Sequence, residues 1–348
     1  MFSSCKIYSQ NNSIKNKRKI QFFDIIIAME NTEQKVYKKR VLFVGMPDMA
    51  LVCLHKLVDK KINIVGVVPP NKKDSTYNMM VRTALVLGLN VIPYNENLLE
   101  EDFLQKIKDL NADIGVVCSY NSKLPEKLLA LTKDGFINLH PSLLPDYRGG
   151  NPYAHVIING EKESAITLHF MDKEFDTGDI ISQYKFPLME NETMGTLFYR
   201  TNDMCASMLF EALDYYEDNP FPRRPQEVRE TYKKAPSLSF EKGNVFIDWT
   251  KSAEEIERFI RALNPFIGAF TFYNGTLIRV NSASVIKKFH NFEAGEIIDT
   301  NKCLKIACGQ DVIEIESMQF GAYFISTGKD FVQRIEVKKG EKLKSGQA

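Results

Sequence analysis

The pattern that most restricts the fold begins at Arg40. From there, apolar runs about one buried strand long alternate with segments whose apolar residues fall at helical spacing. "RVLFVGM" predicts a strand, followed by a helix with Ala50, Leu54, Leu57 and Val58 on one face. "INIVGVV" (62–68), a short "NVIPY", "ADIGVVCS" (112–119) and "GFINLH" predict further strands. "VRTALVLG" and "LLEEDFLQKIKDL" predict the helices between them. Strands apolar on both faces and separated by helices require a mostly parallel, Rossmann-like sheet with helices on both sides. Ligands in such sheets bind beyond the carboxyl ends of the strands.

Two further strands, "SAITLHFM" (164–171) and "DIISQYKFPL" (179–188), precede a long amphipathic helix ending near Asp218. A stretch rich in Pro and charge, residues 219–237, reads as a linker, with Arg223, Arg224, Lys233 and Lys234 as solvated charges or phosphate contacts. Beyond it come "NVFIDW", a helix ("SAEEIERFIRAL") and at least four short strands: "GAFTFY", "TLIRV", "CLKIAC" and "VIEIES". Closely spaced turns predict a small barrel-like, OB-like β domain. The expected organisation is thus residues 1–39 as an extension, 40–218 as a catalytic domain, 219–237 as linker and 238–348 as a β-rich domain. The amino-terminal residues 1–28 are acid-poor and leave three readings open: a disordered extension, a targeting segment, or a start at Met29.

Composition narrows the function classes. With 44% hydrophobic and 26% charged residues the chain is an ordinary globular one. The longest apolar stretch near the start, "FFDIII", is far short of the ~18 residues that span a bilayer. A cytoplasmic protein without membrane partners is expected. The cysteines at 5, 53, 118, 205, 303 and 308 form no CxxC pair, and the five histidines show no metal-ligand spacing. Reduced thiols and no metal are expected. Residues 1–40 carry nine Lys/Arg against three Asp/Glu, whereas the rest carries 36 against 41. That negative balance provides no broad footprint for nucleic acid.

"GMPDMA" after the first strand has a single glycine, so the dinucleotide fingerprint is missing, and no phosphate-binding GxxxxGK[ST] loop occurs. Chemistry concentrates in "GFINLHPSLLPDYRGGNP" and "HFMDKEFDTGD". Asn138 and His140 lie two residues apart on a strand and share a face. Together they suit a developing oxyanion, which fixed donors stabilise. A carboxylate such as Asp176 would orient or hold the imidazole. Singly, each signal also fits a plainer role. Asn-x-His stabilises turns, the two leucines bury a loop, and Asp176 and Asp179 can cap turns.

The joint string N-x-H-x-S-L-L-P-x-Y-R-G, followed by Asp-Thr-Gly at 176–178, resembles the 10-formyltetrahydrofolate-dependent formyltransferases. "IDWTKSAEEIERFIRALNPFIGAF" is similar to the carboxy-terminal domain of methionyl-tRNA formyltransferase, and a similar domain follows the formyltransferase core of the enzyme that acts on UDP-aminoarabinose. The resemblance covers about residues 40–346. It implies a triad at Asn138, His140 and Asp176, the first two stabilising the oxyanion and Asp176 raising the pKa of His140. It implies a 10-formyltetrahydrofolate donor beside Ser142, Leu143, Leu144 and Pro145 and the loop of Asp172, Lys173, Glu174, Phe175 and Asp176. Tyr120 would stand near the mouth, unless it is a core aromatic. The amine acceptor is expected to be small, a nucleotide-linked amino sugar. "PPNKKDSTYNMMVR" lacks the basic GRGKK-like run usual in the tRNA enzymes, "RGGNP" replaces their R-G-A-A-P, and "TLHF" looks closer to enzymes of amino sugars. Methionyl-tRNA is the alternative. A formyl-folate hydrolase and a non-catalytic binding protein are the readings from other classes.

Overall fold

The computed structural model describes residues 35–346 apart from 94, 121, 302, 322 and 323, and the expectations for residues 1–28 lie outside these. From Lys39 onward the chain forms one compact unit. Its first half is built on six strands: β1 (Val41–Gly45), β2 (Ile64–Val68), β3 (Ile114–Cys118), β4 (Phe136–His140), β5 (Glu163–Phe170) and β6 (Ile180–Pro187). Their order is β2-β1-β3-β4-β5-β6. The first four run parallel; β5 pairs antiparallel with β4 and β6 antiparallel with β5, so β5 alone is reversed. The chain moves outward from β1 to β2 and then crosses back to β3, which opens a crevice beyond the ends of β1 and β3.

Every residue of β1 and β3 is buried, as their unbroken apolar sequences require of strands covered on both faces. Leu42, Val44 and Val117 pack on Phe103, Leu104 and Ile107 of helix Glu101–Asp109. Helix Met49–Asp59 packs against the long helix Met194–Asp218. Two expectations shift. Among its described residues "NVIPY" makes a single parallel bridge, Val91 to Val67, because Pro93 has no N–H to continue the ladder. The irregular run after β2 is shorter than its sequence suggests. Asp74 accepts from the backbone of Thr76 (2.9 Å) and Tyr77 (3.3 Å), so a helix starts at Ser75 and only residues 69–74 remain as loop.

The second half is an antiparallel sheet of β7 (Ala269–Tyr273), β8 (Thr276–Ile286), β9 (Ile297–Asp299), β10 (Leu304–Ala307), β11 (Val312–Phe320) and β12 (Phe324–Thr327). The order is β7-β8-β11-β10-β9, with β12 on β11. A register shift near Ile315–Ser317 curls the long β8–β11 pair. The carboxy-terminal segment then bridges the two free edges. Ile297 N–H donates to the Glu341 carbonyl (2.8 Å), and Phe272 and Lys344 exchange two bonds of 2.9 Å. The result is a barrel around Trp249, Ile260, Met318 and Phe331, plugged by helix Ala253–Leu263.

The stretch 219–237 keeps its charged side chains exposed, but its backbone is tied down rather than free. Ile180 and Arg224 exchange backbone bonds, and the Ala235 N–H donates to the Arg148 carbonyl (2.9 Å). The Arg223 guanidinium sits 3.5 Å from the Phe170 ring centroid, Arg224 donates to Gln183 (2.7 Å), and Lys233 pairs with Glu161. The segment runs along the first half as added strand-like pairing.

Candidate active site

Asn138 and His140 leave β4 on one face, and the antiparallel register sets His169 of β5 directly opposite Asn138. Antiparallel partners share a face, so three polar side chains converge where the apolar pattern breaks. The loop from β5 to β6 carries Asp176 to this cluster. Its Oδ1 lies 3.6 Å from His140 Nδ1 and 3.8 Å from His169 Nε2, and its Oδ2 accepts from the Gly149 N–H (3.0 Å). Asp176 adopts φ +57°, a left-handed conformation that Asp tolerates better than most side chains. Gly178 follows because there is no room for a side chain: a Cβ would lie 2.0 Å from the Phe170 carbonyl oxygen.

Hydrogen bonds assign the protons. His169 Nδ1 lies 2.7 Å from the Phe170 carbonyl, which can only accept, so Nδ1 carries the hydrogen. Its bare Nε2 then accepts from Asn138 Nδ2 at 3.2 Å, which fixes the amide with its nitrogen toward β5. Burial, reinforced by the neighbouring His140, holds the His169 pKa down to about 4, so this ring is neutral near pH 7. His140 Nε2 donates to the Tyr147 carbonyl (2.9 Å). Only Nδ1 is left to face Asp176 and the cleft.

The cluster forms the floor of a cleft of about 810 Å³, within the usual range for small-molecule sites. One wall comes from the end of β3 and the 171–176 loop, with Tyr120, Leu124, Met171 and Phe175. The other comes from helix Pro152–Ile158, the start of the long helix and the segment after helix Ala253–Leu263, with Tyr153, Phe198, Phe266 and Ile267. Phe198 meets Tyr153 and Phe266 edge to face at 5.6 and 5.5 Å.

The expected residues divide. Asn138, His140, Asp176, Asp172, Glu174, Phe175 and Tyr120 line the cleft, whereas Ser142, Leu143, Leu144, Pro145 and Lys173 do not. Ser142 is fully buried, with its hydroxyl donating to the Asp146 carbonyl (2.8 Å). Its own carbonyl accepts from Thr167 (2.6 Å), and Gln183 donates to the Leu144 carbonyl (2.9 Å). This loop is held by its backbone and sets the path from His140 to Gly149. Tyr120 donates to the Pro69 carbonyl (3.3 Å), and burial raises its pKa above the ordinary phenol value. His169 was missed. Its signal was present in "SAITLHFM", where a histidine interrupts a strand otherwise apolar enough to be buried on both faces.

A doubly wound sheet with polar side chains grouped at the floor of a cleft beyond its strand ends defines an α/β protein built to take a small ligand there. Residues 38–213 match the family model described as formyl transferase, and 240–336 match that of the formyl transferase carboxy-terminal domain. The methionyl-tRNA formyltransferase of Clostridioides difficile is 36% identical over 286 residues, covering 80% of this chain and 92% of that protein. That of Alkaliphilus oremlandii is 35% identical over 311 residues, covering 87% and 99%. The crystal structure of an N-formyltransferase from Helicobacter canadensis, in complex with folinic acid and dTDP-3-aminofucose, superposes with a TM-score of 0.60. It is 20% identical and covers 80% of this chain and 99% of that one, a likeness of fold. The chain belongs to the formyl transferase family, whose formyl donor is formyltetrahydrofolate.

Proposed function

We propose that this enzyme transfers the formyl group of 10-formyltetrahydrofolate to the primary amine of a nucleotide-linked amino sugar. The observation that carries the transfer is the convergence of Asn138, His140 and Asp176 on the cleft floor. The residues present fit the donor: the flat rings of Tyr120 and Phe175 and the aliphatic Leu124 suit its ring systems, with Asp172 and Glu174 as polar edges. When bound, formyltetrahydrofolate supplies the formyl carbon. Asn138 Nδ2 has one hydrogen committed to His169 and a second free for the formyl oxygen. His140 Nδ1 faces the same space, with the Asp176 carboxylate 3.6 Å from it. Neutral His169 keeps Asn138 aimed. Negative charge growing on the formyl oxygen as the amine attacks is thereby met by a donor already in place, which needs no reorganisation.

The acceptor reading is supported by the connection after β2, where only residues 69–74, closed by the Asp74 cap, intervene and carry two lysines in place of a GRGKK-like run. A second reading, methionyl-tRNA, is favoured by the relatives at 36% and 35% identity. Purified protein supplied with 10-formyltetrahydrofolate separates them. Formylation of dTDP- or UDP-linked amino sugars, without formylation of charged initiator tRNA, is expected, and the reverse outcome overturns the acceptor reading. Asn138→Ala and His140→Ala should each lower turnover by ~10²–10³. Unchanged turnover in both would remove the mechanism.

A further inference from the structure

The 171–178 loop presents Asp176 from an exposed turn. Lys173, Glu174 and Phe175 are all exposed, and the internal bonds of the turn run from Asp172 to Glu174 and Thr177. These bonds shape the turn, but none fixes the direction of the Asp176 peptide. That task falls to Gln226, fifty residues further along the chain. Its Nε2 donates to the carbonyls of Asp176 (2.8 Å) and Gly178 (2.9 Å), one hydrogen to each. Its Oε1 accepts from Arg148 Nη2 at 2.6 Å. Both oxygens before the nitrogen can only accept and the guanidinium can only donate, so no flipped amide satisfies these partners.

Arg148 is held in turn. Its guanidinium lies 5.0 Å from the Tyr232 ring centroid, and its carbonyl accepts from Ala235. The next residue, Gly149, donates its N–H to the Asp176 carboxylate, while its Cα side is closed by the Ala235 carbonyl, 2.5 Å from where a Cβ would be. Asp176 is therefore gripped twice, at the carboxylate by Gly149 and at the peptide by Gln226. Both grips are fastened by residues 226–235.

We infer that Gln226 is a positioning residue for formyl transfer, keeping the Asp176 carboxylate opposite His140. This rests on the reading of Asp176 as a site residue. Without the amide, two carbonyls lose their donor and the left-handed Asp176 peptide is free to rotate. The carboxylate then leaves His140 without any change in the cleft walls. A displacement of about 1 Å in such a group costs on the order of 10²-fold in rate.

The test is steady-state turnover of 10-formyltetrahydrofolate by full-length protein, with whichever amino sugar or methionyl-tRNA is formylated. Gln226→Met keeps the volume and removes both donors. Its kcat should fall roughly 10- to 100-fold with both KM values within about twofold. The same substitution in an Asp176→Asn background should cost nothing further, since the residue acts only through that carboxylate. Gln226→Glu retains the acceptor for Arg148 and should be as slow as Gln226→Met. A raised KM at unchanged kcat, an additive loss in the double variant, or normal turnover in Gln226→Glu overturns the inference. Should Gln226→Met fold poorly by circular dichroism, Gln226→Glu carries the same comparison. Full turnover in Asp176→Asn alone would instead sink the reading of Asp176, so the two failures are distinct.

Discussion

At His169 burial decides the ionisation state and a backbone carbonyl decides the tautomer, and with it the direction of a neighbour. The Phe170 carbonyl takes Nδ1–H, burial and His140 oppose a second proton, and Asp176 and Asp172 only partly offset them. Unfolded, this imidazole protonates near pH 6.5; folded, it resists until about 4. The stability contributed is complete above 6.5 and is lost as the pH falls toward 4, because the unfolded chain takes up a proton that the folded one refuses. The slope contributed is at most about 1.4 kcal/mol per pH unit. Urea unfolding at a series of pH values should show a shallower acid-side slope for His169→Gln than for the parent. An unchanged slope would mean that another group titrates there. Sequence alone could propose Asn138 and His140 from their shared strand face. It could not tell which His140 nitrogen faces the cleft, since that depends on a carbonyl seven residues away whose direction follows from the loop path.

Among the elements, the barrel depends on residues 340–344 more than its strands suggest. Leu343 is buried in the barrel core, and its N–H donates to the Gly295 carbonyl (2.9 Å) between the free edges of β7 and β9. Leu343→Ala should destabilise the barrel by about 2–4 kcal/mol through the cavity it leaves. Trp249, the single tryptophan of the chain, lies in the same core, so its fluorescence during urea unfolding reports this half. A shift in the midpoint below what ~1 kcal/mol produces would show that the segment is dispensable. Helix Ala253–Leu263 was legible because its apolar spacing and its Ser252–Glu255 capping box are both local. The closing segment was not, because "KGEKLKSG" alternates too weakly to read as a strand and pairs with residues about 45 and 70 positions earlier.

At the scale of the whole molecule, the two acceptors differ in the salt dependence they predict. The excess of positive charge lies in the first forty residues, and the remainder is acidic on balance. With an amino sugar as acceptor, kcat/KM should change little between 50 and 200 mM salt, taken as about the window where tRNA affinity falls by orders of magnitude. A steep negative slope of log kcat/KM against log salt would instead indicate phosphate contacts along a nucleic acid.

The alternation of short apolar strands with helices determined by itself that the first half is a doubly wound sheet, and the break of that pattern at Asn138 and His140 marked where a site could lie. Periodicity reports burial, and burial is a property of each short segment. Tertiary structure alone brought His169 across from Asn138, turned Asp176 inward under Gln226, and laid the charged stretch 219–237 along the sheet. Each of these rests on hydrogen bonds between residues some thirty to ninety positions apart. Which donor meets which acceptor over such separations is set by the path of the whole chain, and no local pattern encodes it.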